Sequence, residues 1–465
     1  MTTTASIVSG TESWPRKYLE KRLRDPQLAL RVLVLYLQSS EWIHRRLHQV
    51  VFQGEKTVRH CFSIDLTVPD QAPVLSTVGS QEILLLPLDL LRKQNIVNFK
   101  ITDQDGRSLS YFTRSQLGCV TSTMLIEYAG ALLDRPLPDS VAKLVQDLVT
   151  CTPAKIEEAR SRWEKRTFIE SEAQVVKSGL DKLPEFRFLL DRLMKNYLLL
   201  VPTDSVAGAR LHISYCFDLP LKIEDARDDK ERFLEGLGWD PTRVDFRLEA
   251  ASGTESYHFE VEDPPGVDLV KAAIVEYPAP VKKWEKPKPI FHEQEEGGLP
   301  TLNLHASGVQ RGSRVVAHVD VQAGREPWLS FFMISCFVLA ALLFLGAWRL
   351  PSMLTPQTAQ QGAAQVQVGG MEEVTAALLI FLAGVIATLM SKSDPRGILR
   401  KILYRLRELG MATAVMPIIA VTVLLFFPSG NLLRWTWSVL GGVAVLAGLV
   451  ASRSLQAIKI SSTSS

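Results

Sequence analysis

After Pro327 the chain changes solvent. Four apolar segments follow, Trp328–Trp348, Val374–Met390, Met411–Phe427 and Trp435–Val450, and none contains Asp, Glu, Lys, Arg or His. At 1.5 Å per helical residue, about 20 apolar residues cover a hydrocarbon core about 30 Å thick. The first segment has that length, and the others approach it with flanking residues such as Met371 and Ser452. Core helices of soluble proteins keep a polar stripe; these segments have none. The chain therefore reads as a transmembrane domain over 328–452, an α-helical four-span bundle with spans 328–348, 374–390, 411–427 and 435–450. A whole-chain mean hydropathy of +0.09 averages this third with a polar remainder.

Flanking charges predict the orientation. Lys392, Arg396, Arg400, Lys401, Arg405 and Arg407 lie between the second and third segments, whereas the loop Pro351–Glu373 has no Lys or Arg. The positive-inside rule puts the basic loop in the cytoplasm, and four crossings then place both termini there. The opening residues lack an apolar stretch of signal-peptide type, which agrees with that orientation. In the basic loop Ile398, Leu399, Ile402, Leu403 and Leu406 recur at helical spacing. That pattern fits an amphipathic helix on the inner leaflet or an inward extension of the third span. Contact with anionic lipid is assigned to Arg396, Arg400, Lys401, Arg405 and Arg407, each contributing about 1 kcal/mol near a charged surface. Ala383 with Ala387, and Ala444 with Gly448, have small-xxx-small spacing for close helix approach. Pro417 is placed to kink the third span, and Trp435 and Trp437 to sit in an interfacial belt. Spans without ionisable groups argue against proton- or ion-coupled transport and leave room for a pore in an oligomer.

Net charge is +2 with 22% charged residues, so no basic excess points to nucleic acid. Cys61, Cys119, Cys151, Cys216 and Cys336 are odd in number and scattered. That argues against a disulfide framework and fits a reducing compartment, with Cys61 and Cys216 the one pair in similar strand-like segments.

Leu28–Val51 reads as helix, giving an N-terminal helical segment over 1–57. Alternation over Val58–Val68, then Glu82–Leu86 and Val97–Ile101, predicts strands, with a turn at Asp105–Gly106. Helical patterns occupy about 115–201, including Ser140–Thr150, Pro153–Lys165 and Phe186–Leu200, with Asp139 and Thr152 as N-caps. Strand character returns at Arg210–Leu219, Arg243–Leu248, Tyr257–Val261, Val270–Tyr277, Leu302–His305 and Arg314–Val321. HCFSIDL, around Cys61, echoes HISYCFDL, around Cys216. Lys282–Gly298 is charged and Pro-rich and reads as an exposed loop. The expected fold is an α+β cytosolic domain over 58–322, antiparallel and β-sandwich-like with a helical insertion, with a cytosolic tail over 453–465. Only Gln322–Pro327 separates its final strand from the first span, so the sheet should sit close to the membrane, and a flexible insertion after Val321 should uncouple the two.

Motifs of chemistry are missing. There is no Walker loop, dinucleotide fingerprint, HExxH or nucleophile elbow. Gly236 and Gly238 in GLGWD fit a helix cap better than a phosphate loop. His44 and His48 have i, i+4 spacing, but Arg45 and Arg46 oppose a cation there, so a solvated helix face is the reading. His60, His212, His258 and His318 fall in strands as structural residues. The acidic run Glu224, Asp225, Asp228 and Asp229, interleaved with Arg227 and Lys230, reads as an exposed helix face. No catalytic, cofactor-binding or metal-binding residue is assigned.

Three stretches, ITDQDGRSLSYFTRSQ ending at Gln116, SYHFEVEDPPGVDL ending at Leu269, and SKSDPRGILRKILYRLRELGM ending at Met411, together resemble a group of bacterial, chiefly actinobacterial, four-span membrane proteins of uncharacterised activity. The resemblance implies the architecture and a multi-pass location in a bacterial plasma membrane. The expected function is non-enzymatic: a membrane-anchored cytosolic module that binds or senses a ligand, without a cofactor. The alternative is an oligomeric membrane effector or channel gated by that domain. Expected partners are the lipid bilayer, with anionic lipids at its surface, and a protein partner or further copies of the chain, but no nucleic acid.

Overall fold

The computed structural model describes residues 21–53, 57–78, 81–94, 96–165, 168, 171–221, 229–262, 266–278, 289–296, 301–310, 313–324, 327–354, 369–392, 403–426 and 431–461. Alternating inward side chains make β1 (Ile43–Gln53) and β2 (Thr57–Thr67) an antiparallel pair. They centre a mixed sheet that also contains β5 (Val97–Thr102), β7 (Arg210–Pro220), β9 (Ser256–Glu262) and β12 (Thr301–Ser307). Its order is β12-β9-β1-β2-β7-β5, with β1 and β9 parallel. A second, antiparallel sheet holds β3 (Val74–Val78), β4 (Gln81–Arg92) and β6 (Asn196–Thr203) in the order β3-β4-β6. A third has β8 (Thr242–Arg247), β10 (Val267–Tyr277), β11 (Ile290–Glu296) and β13 (Arg314–Ala323) in the order β11-β10-β13-β8.

Helices α1 (Pro26–Leu37) and α2 (Ser39–Trp42) precede β1. Between β5 and β6 run α3 (Arg114–Leu133), α4 (Asp139–Thr150), α5 (Ile156–Lys165), α6 (Ser171–Asp181) and α7 (Pro184–Lys195). The capping box of Thr113 and Gln116 starts α3, and Pro184 opens α7 where its missing N–H goes unused. These helices bury Val120, Val145, Phe186 and Leu193 with α1 and with Leu85 and Leu198 of the second sheet. The other face of that sheet, through Leu86 and Val201, meets Ile64, Ile213 and Tyr215 of the mixed sheet. The mixed and third sheets share an apolar cluster containing Phe52, Phe259, Phe246 and Val319, which continues into the C-terminal helices through Leu329 and Phe332.

After α8 (Asp229–Gly236) come the C-terminal helices α9 (Pro327–Leu354), α10 (Gly369–Lys392), α11 (Tyr404–Phe426) and α12 (Asn431–Ser461). Three carry stretches long and apolar enough to cross a membrane: Trp328–Trp348, Tyr404–Phe426 and Asn431–Ala457. The apolar part of α10, Val374–Thr388, is shorter. α9 and α12 pack through small residues. A Cβ on Gly346 would come within 2.2 Å of the Trp437 ring, and one on Gly448 within 3.1 Å of Phe337. Ala444, in the predicted small-residue pair with Gly448, is fully buried.

Several expectations are corrected. The helix over Leu28–Val51 ends at Trp42, and β1 takes its second half. Arg46 and His48 point inward from β1, so two buried polar residues hide its two-residue apolar period. Phe186–Leu200 is helical only to Lys195, because NYLLLVPT pairs with β4 as β6. A short apolar run suits either state, and the partner strand decides. Part of the predicted Lys282–Gly298 loop is β11, a charged edge strand; 282–288 and 297–298 lie outside the described residues. Asp139 sits in the first turn of α4, whose N-cap is Pro138, whereas Thr152 is at the N-cap position expected for it, opening the 3-10 turn Pro153–Lys155 without a side-chain cap bond. Trp437 is no belt residue: it is fully buried and donates to the Ala420 carbonyl at 3.0 Å, while Trp435 stays exposed. The tail assigned from 453 continues α12 to Ser461.

The cysteine reading also changes. The two echoing segments are the neighbouring strands β2 and β7, with Cys61 opposite Cys216, Cα atoms 4.2 Å apart, joined as a disulfide. Residues separated by 155 positions meet only because the insertion loops out between the two strands.

Candidate functional site

A cavity of about 230 Å³ opens where the three sheets meet. The mixed sheet contributes His48, His60, Phe62, Phe217 and Tyr257, β4 contributes Asp89 to Arg92, and β8 contributes Val244 to Arg247. His48 was expected on a solvated helix face; its place on β1 turns it inward, 2% exposed. Its Nδ1 lies 2.9 Å from the Tyr257 hydroxyl, and its Nε2 lies 2.9 Å from Nδ1 of His60. Parallel rings wall this relay: His48 stacks on Phe62 with centroids 4.1 Å apart, and His60 on Phe217 at 5.6 Å.

The imidazoles are neutral near pH 7. Burial, then repulsion from His60 and Arg46, pushes His48 well below the ordinary histidine range, and burial pushes His60 down to about 4. A folded pKa below the unfolded value of about 6.5 means that the unfolded chain binds more protons between those limits. The contribution of His60 is therefore fully present above pH 6.5 and is lost as pH falls toward 4. Melting of the detergent-solubilised chain from pH 7 to pH 4.5 is expected to show a destabilisation, approaching about 3 kcal/mol at its acid limit, that His60→Phe removes. Equal acid slopes in the two proteins would disprove this assignment.

Charge at the back of the cavity is already matched. Arg46, 2% exposed, lies with Nη1 2.6 Å from Asp89 Oδ2 and donates from Nη2 to the Leu88 carbonyl at 2.8 Å. Asp89 also accepts from the Tyr215 hydroxyl and from the Leu90 N–H. A register shift in β4 between Pro87 and Asp89 lies beside these contacts; bulges re-aim local side chains. Beside His60, Asp218 accepts two bonds from Arg59 and one from Asn98. The side-chain bond from Arg59 is the largest influence holding Asp218 below the usual carboxylate range.

One wall of the cavity leads to the C-terminal helices. Three residues before β8, Trp239 donates to Ser454 Oγ of α12 at 3.0 Å and lies under Arg453 at 4.4 Å. Ser454 donates in turn to the Leu237 carbonyl at 2.8 Å. GLGW is the helix cap expected from sequence. Trp239 N–H bonds to Leu234 O, Gly238 N–H bonds to Glu235 O, and Gly238 has φ +72. Close approach adds a second demand for glycine, since Cβ atoms at positions 236 and 238 would come within 2.6 Å of Arg405 and 2.8 Å of Leu403. Gln322 of β13 donates to the Gly238 carbonyl at 3.3 Å.

Of the residues expected to contact lipid, Arg405 packs on its neighbour Tyr404 at the start of α11 and pairs with Glu408 at 2.9 Å. Arg407 lies on the same helix, which extends the third apolar segment back to Tyr404; Arg396, Arg400 and Lys401 lie outside the described residues. The acidic run is described only from Asp229, where α8 begins.

His212, His258 and His318 sit on strands as expected, His212 and His318 in relays that the sequence did not reveal, whereas His44, expected on a helix face, lies on β1 and His292, expected in a loop, lies on β11. His212 bridges Asp65 at 2.6 Å and Ser214 at 3.2 Å, resembling a hydrolytic triad in connectivity. Ser214 lies within a central strand, paired with Ser63 and Thr102, and those ladders occupy the backbone donors that an oxyanion hole needs. His318 bridges Asp245 at 2.6 Å and Tyr277 at 3.2 Å beside a second cavity of about 300 Å³. Among the described residues no group of His, Cys, Asp and Glu could hold a metal ion.

No known family's sequence model matches the chain, and no curated protein matches it at a significant level.

Proposed function

We propose that the protein is a four-span membrane-anchored sensing module that binds a small ligand in the three-sheet cavity and transmits its occupancy to the helix bundle. The observation that carries this reading is the continuity of β8, which lines the cavity and, three residues upstream, fastens to α12 through Trp239. A ligand that shifts β8 moves that fastening. In the same reading the α+β core is sandwich-like, which the apolar cluster shared by the mixed and third sheets supports.

In this reading all four apolar helices cross a bacterial plasma membrane, as in the proteins that the chain resembles. Both termini and the N-terminal domain lie in the cytoplasm, because the basic residues cluster between α10 and α11. The Cys61–Cys216 bond speaks for the opposite side, since disulfides persist in oxidising compartments. Protease added to intact cells separates the two: digestion of the N-terminal domain from outside would overturn the cytoplasmic placement.

Two experiments test the sensing reading. Solvent extraction of the purified chain should release a small molecule, and Leu219→Trp, which fills the cavity from its wall, should abolish its recovery. The coupling is tested by a long Gly/Ser insertion combined with Trp239→Ala. Because β13 runs to Ala323, the insertion belongs after Gly324 rather than Val321. It should leave ligand recovery intact and remove any ligand-dependent change in hydrogen exchange at the Arg453 end of α12. An unchanged exchange response would show that neither link transmits. A gated channel uses the same lever, and ligand-dependent ion flux through liposomes would select it over the sensor.

A further inference from the structure

The hydrogen-bond relay beside the cavity has a direction. Tyr257 is 1% exposed, and His48 is the only hydrogen-bond partner of its hydroxyl among the described residues. If that hydroxyl accepted from His48, its own proton would have no acceptor, a loss of about 1–3 kcal/mol for a buried group. Tyr257 therefore donates to Nδ1 of His48. A neutral His48 then carries its proton on Nε2 and donates to Nδ1 of His60, which leaves the proton of His60 on Nε2. That last N–H meets no described residue, and His60 lines the cavity.

The surroundings of that donor narrow what it can meet. His48, Phe62, His60 and Phe217 present nearly parallel rings, with interplanar angles of 13° and 16° in the two stacks, and Phe246 closes the far side edge-on to His60. Inside this wall Asp89 is neutralised by Arg46. Arg92, Asp245, Arg247 and Glu249 also line the cavity, but Arg92 and Arg247 are exposed and Asp245 lies 2.6 Å from His318, so a charged guest held against the ring wall would lose its hydration for little counter-charge in exchange. An engineered 150 Å³ cavity takes benzene, so 230 Å³ suits about ten non-hydrogen atoms.

We propose that the cavity binds an uncharged planar heteroaromatic molecule of about that size, whose carbonyl or ring-nitrogen acceptor takes a hydrogen bond from Nε2 of His60. This rests on the reading of the cavity as a ligand site and names the class of ligand. The stacked rings select flatness, the Arg46–Asp89 pair leaves the ring wall without a free charge for an ion, and the relay supplies one donor of fixed direction.

The test uses the full chain in nanodiscs and three probes: 4-quinolone, neutral with a carbonyl acceptor; indole, of similar size with a donor only; and quinoline-4-carboxylate, an anion. Titration calorimetry should show 4-quinolone binding at least about tenfold more tightly than indole, the value of one hydrogen bond, with no binding of the carboxylate. His60→Phe keeps the stacking ring and should weaken 4-quinolone about 10- to 100-fold while leaving indole unchanged, and His60→Gln, which retains a donor, should restore part of the loss. Thermal melting verifies that each variant is folded. Equal affinity for indole and 4-quinolone, preference for the carboxylate, indifference to His60→Phe, or no binding of any probe would each overturn the assignment. If extraction still released a molecule that Leu219→Trp abolishes, the cavity would stand as a ligand site of other chemistry. If it released none and no probe bound, the sensing reading would fall as well.

Discussion

Asp89→Ala is expected to destabilise the N-terminal region by about 3–5 kcal/mol, because it leaves the buried Arg46 guanidinium without its counter-charge. Arg46 would retain the Leu88 carbonyl alone, and the Tyr215 hydroxyl would lose its acceptor. Burial and the neighbouring Asp89 charge already hold Tyr215 well above the ordinary tyrosine range, so that phenol stays a proton donor at any working pH. The ion pair spans the mixed and second sheets, so the loss should loosen their shared cluster first. Replacing both partners, Asp89→Leu with Arg46→Met, should recover most of the stability, since an apolar pair of similar volume removes the desolvation cost together with the attraction. Near-ultraviolet circular dichroism during denaturation of the detergent-solubilised chain reads this core. A loss below about 1 kcal/mol for Asp89→Ala would mean that water reaches Arg46 and that the pair behaves as a surface one.

The second large effect is reduction of the disulfide. Joining positions 155 residues apart restricts the unfolded chain by about 5 kcal/mol in the loop-entropy account, and native disulfides commonly contribute about 2–5 kcal/mol. Cys61→Ser with Cys216→Ser should lower the denaturation midpoint of the sheet core accordingly, and dithiothreitol should do the same to the unmutated protein but not to the variant. The bundle should melt unchanged, as neither cysteine touches it. Equal midpoints with and without reductant would show that the two thiols are unbonded neighbours.

Much of the strand pattern is readable because β2, β7, β9 and β12 alternate buried side chains with more exposed ones over much of their length. β1 escapes because two of its inward positions are Arg46 and His48, which any reading of apolar period counts as outward. The residues that hide the strand also build the site. The partner that makes an inward arginine tolerable, Asp89, is 43 positions away and on another sheet. The His48–Tyr257 bond closes 209 positions of chain. Trp437 carries the same lesson in the bundle: tryptophan belongs in either an interface or a core, and only the space over Gly346 decides which.

The sequence alone determined where the apolar helices lie and most of the strand boundaries, because hydropathy runs, two-residue alternation and glycine caps act over a few neighbouring residues. Only the tertiary structure decided that Cys61 meets Cys216, that polar side chains of β1 face inward, and that a cavity forms between three sheets whose strands come from distant parts of the chain. Those outcomes depend on strand order and register, which are settled by the sum of many long-range packing contacts, and no local stretch of residues encodes that sum.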